Sequence, residues 1–276
     1  MGFISRGEKM FVLSEKQQFR KSWSTAIPEF ENVLTKIRNG KLTDALELIN
    51  VSSGKYVYCG KAEGFEFAYK TQQGKKFLRY IFRPSLPYRE AKNYTVLAEL
   101  GIPVPEVLAV GETRRYLILK ESFIITEFIH NTFDGRVFVP NGKFRYQHND
   151  IRRVFCEKNI DLLVKLHDAG YFHKAFHARN LLFRGDTPEN VEVFWIDVAR
   201  MRKAKAMTFA RMLDLHTFFR DMQLPQDELL ALLARYIEKS KWQLYPDAEA
   251  LLNALLTLKR RAFSRKKCGL YTDGTF

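Results

Sequence analysis

Near His130 the spacing of apolar residues changes, and with it the kind of structure the chain can form. Before that point, short apolar and aromatic runs alternate with turn residues. "SGKYVYCGKAEGFEFAYKT" holds two such runs around a glycine-containing turn, the pattern of a β-hairpin. "YREAKNYTVLAELG" reads as a helix that Gly101 ends, with Pro103 close behind. "VPEVLAVGETRRYLILKESFIITEFI" reads as strands split by turns at Gly111 and at Lys120-Glu121. The predicted order is β-β-α-β-β, a small antiparallel sheet with one helix. After His130, "DIRRVFCEKNIDLLVKLHDAG" places Val154, Phe155, Ile160, Leu163, Val164 and Leu166 at helical spacing and stops at Gly170. "NLLF" and "VEVFWID" flank the turn "RGDTPEN", and the remainder reads as helices. This predicts an α+β chain of two lobes joined near residues 127–135. An N-terminal extension, 1–45, carries a helix-like spacing of Phe30, Val33, Leu34 and Ile37. A first lobe covers 46–128 and a second 129–276.

Lys and Arg outnumber Asp and Glu by 45 to 31, a surplus of +14. That favours an anionic partner: a nucleotide, a nucleic acid, a phosphorylated glycan or an acidic membrane surface. No helix-turn-helix, finger or RNA-platform motif accompanies the charge, so no nucleic acid is expected. Cys59, Cys156 and Cys268 lie far apart with no C-x-x-C pair, which argues against a disulfide framework or zinc site and fits a reducing compartment. No apolar run is long enough to span a bilayer. The opening "MGFISRGEKMF" has charges where a signal peptide needs an apolar stretch, and Arg6 breaks the myristoylation pattern. The expected location is the cytoplasm. The 23 Phe point to broad packed interfaces.

"FHKAFHARNLLF", 172–183, follows the loop pattern H-R-D-L-x-x-x-N, in which Asp is the catalytic base and Asn holds a metal. His173 and Asn180 keep the frame, but Ala175 stands where the carboxylate belongs. Asp197 ends the apolar run "FWID". A strand-end Asp is most often a cap; one following a loop of this pattern also supplies, with Asn180, the hard oxygen ligands that Mg²⁺ takes beside phosphates. Lys70 ends the strand "FEFAYKT" and Glu90 lies early on the next helix, where a phosphate-binding lysine and its partner belong. The plain alternative is a solvated strand end and a first-turn helix charge. Lys75 and Lys76 are further candidates for the phosphate lysine. Ser53 and Gly54, in "NVSSGKYVYCG", sit where a phosphate-covering loop belongs, although G-x-G-x-x-G is absent and a simple strand start fits as well. The backbone of Glu127 and Phe128, in "IITEFI", is the expected partner of adenine. His173 is expected to anchor its loop by hydrogen bonding. The basic stretches "KKFLRYIFRPS", "TRRYLILK" and "LKRRAFSRKK" suit anionic lipid, or simply solvent.

Together, H-x-[D]-F-H-A-R-N-L-L-F, the strand-end I-D, "YREAKN" and "LGIPVPEVLAVGE" resemble the lipopolysaccharide kinase family, the bacterial heptose and Kdo kinases of the lipopolysaccharide core and their relatives. The resemblance covers about residues 45–220 and is most specific over 165–200. It implies a bilobal protein-kinase-like fold with a small antiparallel-sheet N-lobe and a mainly helical C-lobe. It also implies transfer from ATP, with Mg²⁺, to a sugar hydroxyl of the lipid A-core at the cytoplasmic face of the inner membrane. Carried over, Lys70 contacts the nucleotide phosphates, Glu90 orients Lys70, and Asn180 and Asp197 hold Mg²⁺. Position 175 would be the Asp that accepts the hydroxyl proton. Ala175 there implies a deliberate inactivating substitution, a natural pseudokinase that binds nucleotide as a regulator, or a coincidental motif; the matching flanks weigh against coincidence. A soluble small-molecule or protein kinase is the other enzyme reading.

Overall fold

The computed structural model describes residues 19–41, 46–52, 55–73, 80–81, 83–115, 117–139 and 149–258. The chain divides into two compact units, 1–96 with 105–130, and 97–104 with 131–276.

The first unit is built on a six-stranded sheet in the order β1-β5-β6-β4-β3-β2. Its strands are β1 Phe19–Thr25, β2 Leu46–Ser52, β3 Lys55–Ala62, β4 Phe65–Gln73, β5 Val107–Arg115 and β6 Ile118–Glu127, and every pairing is antiparallel. The β3–β4 hairpin predicted from sequence turns at Glu63 and Gly64, both with positive φ (52° and 83°). That left-handed pair matches the twist of the strands it joins. Glu63 is steadied there by Asn32, whose Nδ2 donates at 2.8 Å, and by Lys36. Both partners lie on α1, Glu31–Arg38. At eight residues α1 is too short to be stable alone. Phe30, Val33, Leu34 and Ile37 bury it against Phe67, Tyr69, Leu108, Phe123 and Ile125, each large side chain contributing ~1.5–3 kcal/mol. Residues 19–38, within the stretch read as an extension, thus supply this unit with β1 and α1.

Two turns read from the sequence are strand interior instead. Gly111 lies within β5 opposite Phe123, and Lys120-Glu121 lies within β6. Gly111 is paired on both sides, whereas the β5–β6 register shifts by one residue at Lys120, which bulges the ladder without ending either strand. The chain reverses between Arg115 and Ile118, where the Arg114 guanidinium takes Glu112 at 2.5 Å and the carbonyls of Tyr80, Leu117 and Arg83 at 2.7, 3.0 and 3.2 Å. Arg114, read as a lipid-facing charge, is therefore a structural cation.

Helix α2, Leu86–Glu99, follows β4 and closes as the sequence predicts. Gly101 has φ +67°, its N–H donates to Ala98 at 2.9 Å, and Ile102 N–H donates to Leu97 at 2.9 Å. This is the two-bond arrangement that satisfies the last carbonyls of a helix.

The second unit is mainly helical. Helix α3, Asn149–Asp168, buries residues around most of its circumference. It is followed by β8 Tyr171–Phe172, the β9 Leu181–Arg184 and β10 Glu192–Trp195 hairpin, β11 Arg202–Lys203, and α4 Met207–Met222, α5 Gln226–Lys239 and α6 Ala248–Thr257. A two-residue strand β7, Phe133–Asp134, adds to the edge of the hairpin. Gly185 turns that hairpin at φ +117°, and an added Cβ would stand 2.5 Å from the carbonyl oxygen of Asn190. Only glycine fits. Phe138, Phe155 and Phe183 pack together with centroids 4.7–5.5 Å apart, and Phe176, Trp195 and Phe218 form a second aromatic group. Among the described residues, no helix is long and apolar enough to cross a membrane.

Candidate active site

Lys70 sits in β4 between Phe67 and Tyr69 on one side and the strand end on the other. Phe67 and Tyr69 point into the α1 cluster, so strand alternation turns Lys70 to the opposite face. There its Nζ meets Glu90 Oε1 of α2 at 2.8 Å. The Tyr94 hydroxyl, one helical turn on, donates to the same oxygen at 3.1 Å. Glu90 is 7% exposed and Lys70 26%. A carboxylate so buried, held by a cation and a phenol, fixes the direction of the lysine. The expected pairing of Lys70 with Glu90 is thus made, and the plain reading of two solvated charges does not describe it.

At the expected adenine partners, both backbone N–H groups already have acceptors. Glu127 N–H donates to Glu106 O at 2.8 Å and Phe128 N–H donates to Glu66 O at 3.1 Å. Both amides are committed to neighbouring backbone, so pairing of a base with those two N–H groups does not fit this arrangement. Ser53, Gly54, Lys75, Lys76, Cys268 and the basic residues 259–267 lie outside the described residues.

In the second unit, the 172–180 segment is held from beneath by Asp214 of α4. His173 N–H donates to Asp214 Oδ2 at 2.6 Å and Lys174 N–H to Oδ1 at 2.8 Å. His167 Nε2 lies 3.3 Å from Oδ2, and its Nδ1 lies 2.7 Å from the Tyr236 hydroxyl. Arg211 donates to that hydroxyl at 3.0 Å, so Tyr236 gives its own hydrogen to Nδ1, and Nε2–H faces Asp214. Burial keeps the His167 imidazole below its ordinary pKa and pushes the Tyr236 phenol up, in keeping with that neutral network. Asp214 carries no local sequence signature, and sequence reasoning missed it.

His173 anchors the loop through its backbone and not its ring. The ring lies against Phe176 and Trp195, with centroids at 5.6 and 5.7 Å, and neither nitrogen has a hydrogen-bond partner among the described residues. Burial lowers its pKa to about 4. The expectation of a hydrogen-bonding imidazole is corrected accordingly.

Asn180 closes the loop. Its Nδ2 donates to Ala175 O at 2.9 Å, which fixes the amide orientation, since only the NH₂ end serves a carbonyl. Its oxygen is left as a hard donor. The carbonyl of Asn180 accepts Ile196 N–H at 2.9 Å, tying the loop to the end of β10 next to Asp197. Asp197 is exposed, left-handed (φ 53°, ψ 47°), and makes no capping hydrogen bond with its side chain. A non-glycine residue held there stores ~1–3 kcal/mol of strain, and Lys174, with φ 64°, is a second such residue in the site. The cap reading of Asp197 is therefore not realised. One amide oxygen and one carboxylate are the sparse hard set that Mg²⁺ takes beside phosphate and water, so the residues present suit that ion. Among the described residues, no group of three or more His, Cys, Asp or Glu side chains is arranged to hold a metal ion. Ala175 is buried, and its methyl provides no acceptor.

A model of the lipopolysaccharide kinase (Kdo/WaaP) family matches residues 57–236. Over 178 residues the chain is 23% identical to the lipopolysaccharide core heptose(I) kinase WaaP of Pseudomonas aeruginosa; the match covers 62% of this chain and 66% of that protein, just under two thirds of its length. Among solved structures, WaaP in complex with acyl carrier protein aligns with a TM-score of 0.61 at 20% identity, over 87% of this chain and 97% of that one. The PknI kinase domain of Mycobacterium tuberculosis aligns at 0.45 and 12% identity, over 77% and 94%. The antiparallel sheet and mainly helical second unit are those of the protein-kinase-like fold.

Proposed function

Because the chain belongs to the lipopolysaccharide kinase (Kdo/WaaP) family, we propose that it transfers the terminal phosphate of ATP to a sugar hydroxyl of the lipid A-linked inner core, a heptose or Kdo. The observation that carries this reading is the joining of Asn180 to the Asp197 strand end: Asn180 Nδ2 is engaged by Ala175 O, and Ile196 N–H reaches Asn180 O. In the reading, Asn180 and Asp197 hold Mg²⁺, whose chemistry when bound is to neutralise charge on the transferring phosphate. Lys70, oriented by Glu90, contacts the nucleotide phosphates. The backbone near Ser53 and Gly54, with that of Glu127 and Phe128 acting through carbonyl groups and not through their engaged N–H groups, is proposed to complete the nucleotide site.

Ala175 removes the group that would receive the hydroxyl proton, and turnover is proposed to fall accordingly while Mg-ATP binding survives. That loss also supports a second reading, a nucleotide-binding regulator with little turnover. Acceptor contact is proposed through exposed cations, at the cytoplasmic face of the inner membrane. Acyl carrier protein enters as a further candidate partner because the WaaP structure was solved with it.

The test is incorporation of labelled phosphate from ATP into lipopolysaccharide with a truncated, heptose-ending inner core, with and without Mg²⁺. Slow, Mg²⁺-dependent incorporation at the core is the expected result. Mg-ATP binding without any incorporation supports the regulator, and no ATP binding at all refutes both.

A further inference from the structure

Two residues beyond Ala175, His177 has the geometry to do part of what the missing carboxylate would do. Its ring is partly buried, and Nδ1 lies 2.8 Å from Oδ2 of Asp221 on α4. A carboxylate only accepts, so Nδ1 carries the hydrogen and donates it. Arg220 stands at a looser 3.4 Å from Nδ1 and is engaged by Asp221 Oδ1 at 2.8 Å. Burial pushes the Asp221 carboxyl up, but hydrogen bonds from His177 and Arg220 outweigh it and hold it below the ordinary carboxylate range. In the neutral ring this leaves Nε2 as an acceptor, and among the described residues no hydrogen bond to Nε2 is found. The backbone beneath the ring is fixed at both ends: His177 N–H donates to Ala175 O and His177 O accepts Asn180 N–H, each at 2.8 Å. The imidazole thus rides on the same turn as position 175 and Asn180, with Asp221 holding Nδ1 and the ring partly exposed.

We propose that Nε2 of His177, oriented by Asp221, accepts the hydrogen bond of the acceptor hydroxyl and supplies the alignment that Ala175 does not. The inference rests on the kinase reading. The acceptor oxygen bonds to the γ-phosphorus as the bond from that phosphorus to the bridging oxygen breaks, leaving ADP. The hydroxyl hydrogen, directed at Nε2 during attack, leaves to solvent as a proton once the new bond has formed. A loose transition state makes alignment of the oxygen matter more than early deprotonation.

The experiment measures kcat for labelled-phosphate transfer from ATP to the heptose-ending lipopolysaccharide. The variants are His177→Ala, His177→Asn and His177→Gln, each in the parent chain and in Ala175→Asp, with Mg-ATP binding by calorimetry alongside. Asn reproduces the Nδ1 donor alone, whereas Gln carries an oxygen near the Nε2 position. His177→Ala and His177→Asn are expected to lose about 10²-fold in kcat, the scale of a misaligned reacting atom, and His177→Gln to stay within about tenfold of the parent. With Asp at 175, His177→Ala is expected to lose about tenfold or less. Asn outperforming Gln, or equal losses in both backgrounds, would mean that His177 only anchors the loop to α4, and the inference falls while the kinase reading stands. Mg-ATP binding with no transfer by either the parent or Ala175→Asp overturns both.

Discussion

The Ala175→Asp variant is expected to transfer phosphate ~10²–10⁴-fold faster than the parent chain, a lowering of the barrier by about 3–5 kcal/mol. The backbone at 175 is held on both sides. Its carbonyl accepts Asn180 Nδ2 at 2.9 Å and His177 N–H at 2.8 Å, and the preceding amides are clamped by Asp214. On the proposed reading the loop lacks the carboxylate alone, and the substituted side chain would supply it. The check is kcat with the lipopolysaccharide acceptor at saturating ATP. If the proposed roles of Lys70, Glu90, Asn180 and Asp197 hold, the KM for ATP should stay near the parent's, because the substitution leaves all four in place. Equal rates for the two chains would show that position 175 carries no acceptor chemistry.

Asp214→Asn is expected to cost about 3 kcal/mol of stability, because each carboxylate oxygen accepts a separate backbone N–H at 2.6 and 2.8 Å. An amide supplies one acceptor and turns an NH₂ toward the other donor. Leaving a buried donor unsatisfied costs ~1–3 kcal/mol, more where the lost partner is charged. Asp214 is fully buried, so water cannot repair the loss. Thermal unfolding followed by circular dichroism should show a drop of about 6–12 °C in midpoint. The loop carrying Lys174, at φ 64°, would also lose the bond that holds it in a strained conformation, and kcat should fall further than Mg-ATP affinity. An unchanged midpoint would remove Asp214 from its supporting role.

Local chemistry explains which features were legible in the sequence. The β3–β4 hairpin announced itself through Gly64, and α2 and α3 through Gly101 and Gly170, because a left-handed residue leaves a residue-type signature where the chain turns. Lys70 and Glu90 were legible because each lies at a characteristic position in its own element. Asp214 and Asp221 were not: they act on residues about forty positions away, and no periodicity records such a partner. Gly111 misled because glycine marks turns more often than it fills a strand interior, and pairing on both sides keeps β5 continuous there. The ring of His173 misled in another way. Its loop needed an anchor, but the backbone provides it, and the imidazole serves as a flat packing surface beside Trp195.

The most direct measurement is the Mg²⁺ dependence of ATP binding, by calorimetry, in the parent chain and in Asp197→Ala. If Asn180 and Asp197 share one ion beside the phosphates, Mg²⁺ should tighten ATP binding to the parent, and the variant should lose at least about tenfold of that gain, roughly 1.4 kcal/mol. An identical Mg²⁺ dependence in the two proteins would contradict the assignment of Asp197 to the metal.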